Sequence, residues 1–200
     1  KYFVKGSPDK VKTIQEIAFA LDLAFDTPAG MEPYLDETAY WDTPNCTWPF
    51  GTHVAVVEVD QETGVVDLVR YVAVDDVGKK INPMIVEGQV HGGIAQGVGQ
   101  ALCEGAQYNK DGQLVTASFM DYEMPRADVL PSYAVGMVTT ACPSNPLGIK
   151  GCGEAGAIAS PPAVINAITD AVGHEDVPMP ATPQAVWLAC QKSARKLAAE

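Results

Sequence analysis

Apolar positions along the chain follow two periods. Thr13-Ile-Gln-Glu16 is a capping-box pattern, and Ile17, Ala18, Phe19, Leu21 and Leu23 follow it. This predicts a helix from Thr13 to Ala24. Two valine-rich runs, His53–Asp60 and Val65–Val74, read as strands, and Gln61-Glu-Thr-Gly64 between them reads as a hairpin turn. Helical spacing returns from Val86 to Glu104. There Gly88, Gly92, Gly93, Gly97 and Gly99 each cost about 1 kcal/mol against alanine, so something must approach the helix closely, a neighbouring backbone or a ligand. A second hairpin is expected from Ala106–Tyr108 and Gln113–Ser118 around an Asn109-Lys-Asp-Gly112 turn. Ala134–Thr140 is a further strand, and helices are expected from Pro161 to Val172 and from Thr182-Pro183 to Ala199. Separate helices among hairpins give an α+β class.

The stretch from Asp26 to Phe50 carries four prolines and one glycine among aromatics. It reads as a packed loop whose Tyr, Trp and Phe side chains join the core. No internal repeat or low-complexity tract interrupts the chain. Its 200 residues suffice for one large domain or two small ones.

Charge narrows the partners. A net charge of −12 disfavours a nucleic-acid backbone and an anionic membrane surface. No apolar run is long enough to span a bilayer, and the first ten residues lack the apolar core of a signal peptide. Cysteines at 46, 103, 142, 152 and 190 are scattered and odd in number, which suits a reducing, cytoplasmic setting. With His53, His91 and His174 they make no metal-ligand spacing, so no metal is expected to be held directly.

Candidate chemistry concentrates in two segments. In Leu147-Gly-Ile-Lys-Gly-Cys-Gly-Glu-Ala-Gly156, glycines frame Cys152 and Glu154. Such backbone lets a ligand reach main-chain N–H groups, and Glu154 could serve as a general base tuned by burial and by Lys150. An exposed carboxylate in a glycine-rich turn is the plainer alternative. Gly151-Cys-Gly153-Glu-Ala-Gly156 also matches a dinucleotide fingerprint, but Pro143 to Pro146 stand where its strand belongs. The second segment is Val86 to Gly99, where Gln89, Gly92, Gly93 and Gln96 fall near one helical face. Its glutamines suit a heteroatom-rich cofactor, or cap a tight helix–helix contact. Asp75 and Asp76 end a strand beside Gly78, where a carboxylate pair could be catalytic or metal-binding but reads sooner as turn residues. Cys152, a nucleophile only with a base near, reads as a buried or incidental thiol.

Several runs together carry a likeness. They are Phe50-Gly-Thr-His-Val-Ala-Val-Val-Glu-Val-Asp60, Tyr71-Val-Ala-Val-Asp-Asp-Val-Gly78, Ile81-Asn-Pro83, Glu87 to Gly97, Ser118-Phe-Met-Asp-Tyr122 and Pro143 to Gly156. In order and spacing they resemble the C-terminal part of the molybdopterin-binding large subunit of the xanthine dehydrogenase/aldehyde oxidase family, in its carbon-monoxide-dehydrogenase-like branch. The likeness covers nearly all of residues 1–200 and departs at Cys152, where valine is usual.

The resemblance implies oxidative hydroxylation of an aldehyde, N-heterocycle or similar small molecule, with oxygen from water and Glu154 as base. It implies a molybdenum–molybdopterin cofactor, in bacteria often the cytosine dinucleotide. Gln89 matches a cofactor-contacting glutamine. Asp76, Val77, Gly78 and Asn82 match a cofactor-lining turn, and Lys150, Gly151 and Gly153, in the loop before the base, are likewise expected to bind the cofactor. Its implied partners are the rest of the large subunit, a small subunit with [2Fe-2S] clusters and a medium subunit with FAD. A nucleotide-dependent dehydrogenase and a non-catalytic assembly domain are the other classes weighed.

Overall fold

A computed structural model describes residues 1–24, 27–174 and 176–197. They fall into two units, Lys1–Asp42 and the residues from Thr43 onward. In the first, β1 (Tyr2–Val4) and β2 (Ser7–Lys12) pair antiparallel, a hairpin that the sequence pattern does not announce. Helix α1 (Ile14–Leu23) starts on the expected capping box: Glu16 N donates to Thr13 Oγ1 at 3.2 Å, and Thr13 N donates to Glu16 Oε2 at 2.7 Å. None of its side chains is buried within this chain. The aromatics expected in the core are exposed, with Tyr40 95% and Trp48 73% accessible. The prolines at 28, 33, 44 and 49 deny that stretch a regular backbone ladder.

The second unit is built on β3 (Phe50–Val59), β4 (Val66–Asp76) and β5 (Tyr133–Val138), in the order β3-β4-β5. The β3–β4 hairpin closes where expected, through Gly64 at φ +76. Strand β5 lies parallel to β4, which requires a crossover. That crossover contains α2 (Pro83–Leu102). Helices α3 (Ala155–Val172) and α4 (Pro183–Leu197) complete the unit, and the expected helix end at Ala199 lies outside the described residues. Tyr71 and Ala73 of β4, Val90, Ile94 and Val98 of α2, Val164 and Ile168 of α3 and Val186 of α4 form the core.

Three expectations are corrected. The second hairpin is a turn without strands. Asn109 Oδ1 accepts from Asp111 N and Gln113 N, but a lone bridge from Tyr108 to Leu114 is all the pairing that follows. Its Tyr108 and Val115 are exposed, so no buried face supports a ladder. Helix α2 starts three residues early because Asn82 accepts from Ile85 N and Pro83 occupies the first turn. Helix α3 starts at Ala155, with Pro161 and Pro162 inside it. Those prolines offer no N–H to Ala157 and Ile158, yet Pro161 is buried against Gly97 of α2, and packing decides.

Candidate functional site

The glycines of α2 divide by what they meet. A Cβ on Gly93 would stand 2.9 Å from Ala157 N, and one on Gly97 would overlap Ser160 Oγ. On α3, a Cβ on Gly156 would overlap the Val90 carbonyl. These three glycines bring the two helices together. Gly88 and Gly92 face open space instead. Backbone approach thus accounts for Gly93 and Gly97, and no neighbouring element accounts for Gly88 and Gly92.

The loop before α3 is stitched to the end of β4. Asn145 folds it, accepting from Ile149 N at 3.1 Å and donating to Ile149 O at 2.9 Å. Gly148 O then accepts from Lys79 N, and Lys150 N donates to Val77 O, both at 3.0 Å. Gly78 has φ +66, and any Cβ there would overlap Gly148 O. The β4 turn and the loop are thus in main-chain contact.

Asp76 holds that junction. Its Oδ1 accepts from Gly78 N at 2.8 Å and from Lys150 Nζ at 3.1 Å, and the side chain is fully buried. Burial alone would raise its carboxyl. The nearby Thr140 hydroxyl, the Gly78 N–H and the Lys150 ammonium with its charge outweigh it and bring the group down to about 2. Lys150 Nζ also lies 4.6 Å from the centroid of the Phe50 ring.

Asp75 points to the other side of β4, and it too is buried. His53 Nε2 lies 3.3 Å from both its carboxylate oxygens, and His53 Nδ1 is 2.8 Å from Tyr71 Oη. Burial and the Asp75 charge push the Tyr71 phenol well above its ordinary range. Asp75 and Asp76 end β4, as expected, but only Asp76 serves the turn that follows, through Gly78 N, and both are also held by side chains from other segments: Asp75 by His53 and Asp76 by Lys150. His53 was not singled out from sequence. Its signal is there, because the hairpin register puts it opposite Ala73, between Tyr71 and Asp75.

Beyond Lys150 the chain opens out. A Cβ on Gly151 would meet nothing, and one on Gly153 would meet the Gln89 amide at 3.7 Å and nothing nearer. Glu154 follows as the N-cap of α3, exposed and with no side-chain capping bond. The lysine expected to tune it is engaged by Asp76. A cavity of about 100 Å³ lies beside it, lined by Phe50, Gly51, Asp75, Ala155, Ile158 and Ala159 with Pro49.

The structure thus gathers Asp76, Val77, Gly78 and Lys150 at one junction, and Gln89 with Gly153 at an open surface beside Glu154. Asn82 stands apart as the cap of α2. Cys152 is half-buried and packs on the core. Gly151–Gly156 follows a loop whose preceding strand, β5, ends at Val138, so the dinucleotide fingerprint lacks its strand. All five cysteines are free thiols. Among the described residues no helix is long and apolar enough to cross a membrane.

Residues 1–131 match the family model described as "Molybdopterin cofactor-binding domain". The chain is 38% identical over 184 residues to the carbon monoxide dehydrogenase large chain of Afipia carboxidovorans, covering 89% of this chain and 22% of that one. It is 40% identical to the nicotine 6-hydroxylase large subunit of Paenarthrobacter nicotinovorans, over 92% of this chain and 23% of the relative. The solved carbon monoxide dehydrogenase from Oligotropha carboxidovorans superposes with a TM-score of 0.86 at 36% identity, over 97% of this chain and 24% of that one. The chain spans less than a quarter of the length of the curated relatives it matches.

Proposed function

The chain belongs to the molybdopterin-binding domains of the xanthine dehydrogenase/aldehyde oxidase family, in its carbon-monoxide-dehydrogenase-like branch, and from that premise we propose that it forms part of a molybdenum hydroxylase active site with Glu154 as the base. One observation carries the reading. The Gln89 amide stands 3.7 Å from where a Gly153 Cβ would lie, one residue before Glu154, and Gly92 on the same helix and Gly151 in the same loop each face open space.

That surface fits the cofactor. A pterin is polar and rich in heteroatoms, so it needs amide donors and acceptors and close backbone approach. Gln89 supplies the first, and Gly151 and Gly153 the second. A Cβ on Gly153 would stand in ordinary contact with the amide, on the side where a ligand would approach it. The neighbouring turn is built by the other expected residues: Asp76 and Gly78 fix the end of β4 and Val77 takes the loop's N–H, while Asn82 sets the start of α2.

When bound, the cofactor supplies a molybdenum centre that accepts the two electrons released as a substrate C–H becomes C–OH. Glu154 would take up, on a carboxylate oxygen, the proton of the water-derived hydroxyl as its oxygen attacks the carbon, and the hydrogen displaced from carbon would give its electron pair to that centre and its proton to solvent. Its lack of a capping bond leaves both oxygens free for that transfer. Aldehydes, N-heterocycles and similar small molecules are the proposed substrates. Electrons would leave through [2Fe-2S] clusters and FAD on partner subunits, with the rest of the large subunit completing the cofactor shell. The free thiols support a reducing, cytoplasmic setting.

Glu154→Gln in the assembled enzyme tests this. Turnover should fall by about 1,000-fold, within the span of general-base effects, while molybdenum per complex stays at the wild-type level. Full activity would remove Glu154 from the mechanism.

A further inference from the structure

Lys150 is a hidden cation. Its side chain is 9% exposed, with the ammonium between the Asp76 carboxylate and the face of Phe50. Three segments meet there: the start of β3, the end of β4 and the loop that leads to Glu154. A lysine that serves an anionic ligand keeps its ammonium where the ligand can reach it. Burying it with a carboxylate adds little to stability, because desolvation offsets the attraction; it is better suited to fixing one conformation over others.

The loop needs such fixing. Its main-chain anchors to the β4 turn end at Lys150 N. Gly151, Cys152 and Gly153 then lead to Glu154, and two glycines in three residues leave the backbone a wide choice of conformations. Side-chain bulk does not restrict Gly151, which meets nothing within 4 Å.

We propose that Lys150 is a positioning residue: by binding Asp76 and covering Phe50 it fixes the Gly151–Glu154 loop, and so the place of the Glu154 carboxylate, without touching the cofactor. The inference rests on Glu154 being the base.

The test uses the assembled enzyme with Lys150→Met, Asp76→Asn and the two together. Molybdenum per complex, kcat per molybdenum, KM and hydrogen exchange of peptides within 147–155 are measured. Molybdenum should stay at the wild-type level and KM within about twofold, while kcat falls up to about 100-fold, the cost of a misplacement near 1 Å. Loop exchange should quicken by at least about tenfold, as local opening becomes easier. The double variant should be no slower than the slower single one, because both remove the same contact.

Molybdenum lost from Lys150→Met but kept in Asp76→Asn would overturn the proposal in favour of direct cofactor contact, as would additive losses in kcat. A fall in kcat without faster loop exchange, or faster exchange with kcat unchanged, would also overturn it. Should Lys150→Met fail to accumulate because Asp76 is left unpaired, the double variant decides: reduced kcat with molybdenum retained supports the proposal, and wild-type kcat overturns it. Glu154→Gln is run beside them. If that variant is active, the base assignment has failed, and the exchange data still decide whether Lys150 holds the loop.

Discussion

Gly92 and Gly93 are neighbours in sequence with opposite duties. Gly93 lies where a methyl group would press on the backbone of α3, at 2.9 Å from both Ala157 N and Gly156 Cα. Gly93→Ala should therefore destabilise, by about 1 to 3 kcal/mol for overpacking less the roughly 1 kcal/mol gained in helix propensity. Gly92→Ala meets open space and should gain up to about 1 kcal/mol, yet lower the molybdenum content if that space belongs to the cofactor. Melting of the assembled enzyme and metal analysis check the pair, and equal behaviour of the two variants would contradict it. The sequence shows that five glycines in one helix need a reason, but not which reason applies to which glycine. That depends on the rotation of α2 against α3, and spacing within one helix does not determine it. Glu154, Gln89 and Lys150 could be singled out as residues. The use of the lysine could not, because its partner Asp76 lies 74 positions away.

Between elements, the join of β4 to the glycine loop depends on one carboxylate. Asp76 is held at about 2 against an ordinary 3.8, so the folded state favours its charged form. The resulting stability is fully present above the ordinary value and is lost as pH falls from there through about 2. Melting temperatures of the assembled enzyme from pH 5 down to pH 2 should show Asp76→Asn well below wild type at pH 5 and the two converging near pH 2. A gap independent of pH would refute the account. Elements with local signals were legible. Thr13 and Glu16 announce α1, and valine alternation closing on Gly64 announces the β3–β4 hairpin. The parallel partnership of β4 with β5 has no such signal, since nothing near Tyr71 encodes Tyr133. The early start of α3 was hidden by its prolines, whose missing bonds are offset by contact with Gly97. The hairpin at 106–118 failed for the opposite reason: good turn chemistry without a face to bury.

For the whole molecule, much apolar surface stays uncovered. Phe119 is 85% and Met120 93% exposed, and separately the aromatics of residues 34–50 are exposed too. Exposed patches of this kind mark surfaces that another chain segment occupies. With less than a quarter of its relatives' length present, we expect the chain expressed alone to bind an apolar dye and to elute above its 21.2 kDa mass. A monodisperse monomer that leaves the dye dark would argue that this surface needs no cover. The same topology also sets an order of events. The proposed cradle draws on residues 76–78, 89–92 and 148–154, and its sheet closes only when β5 finds β4 about sixty positions back. Contacts so distant along the chain form late, after local helices and hairpins. The proposed cradle is therefore complete only once synthesis has passed Ala155 and β5 has paired with β4, so whatever these residues contribute to holding the cofactor follows folding rather than guiding it.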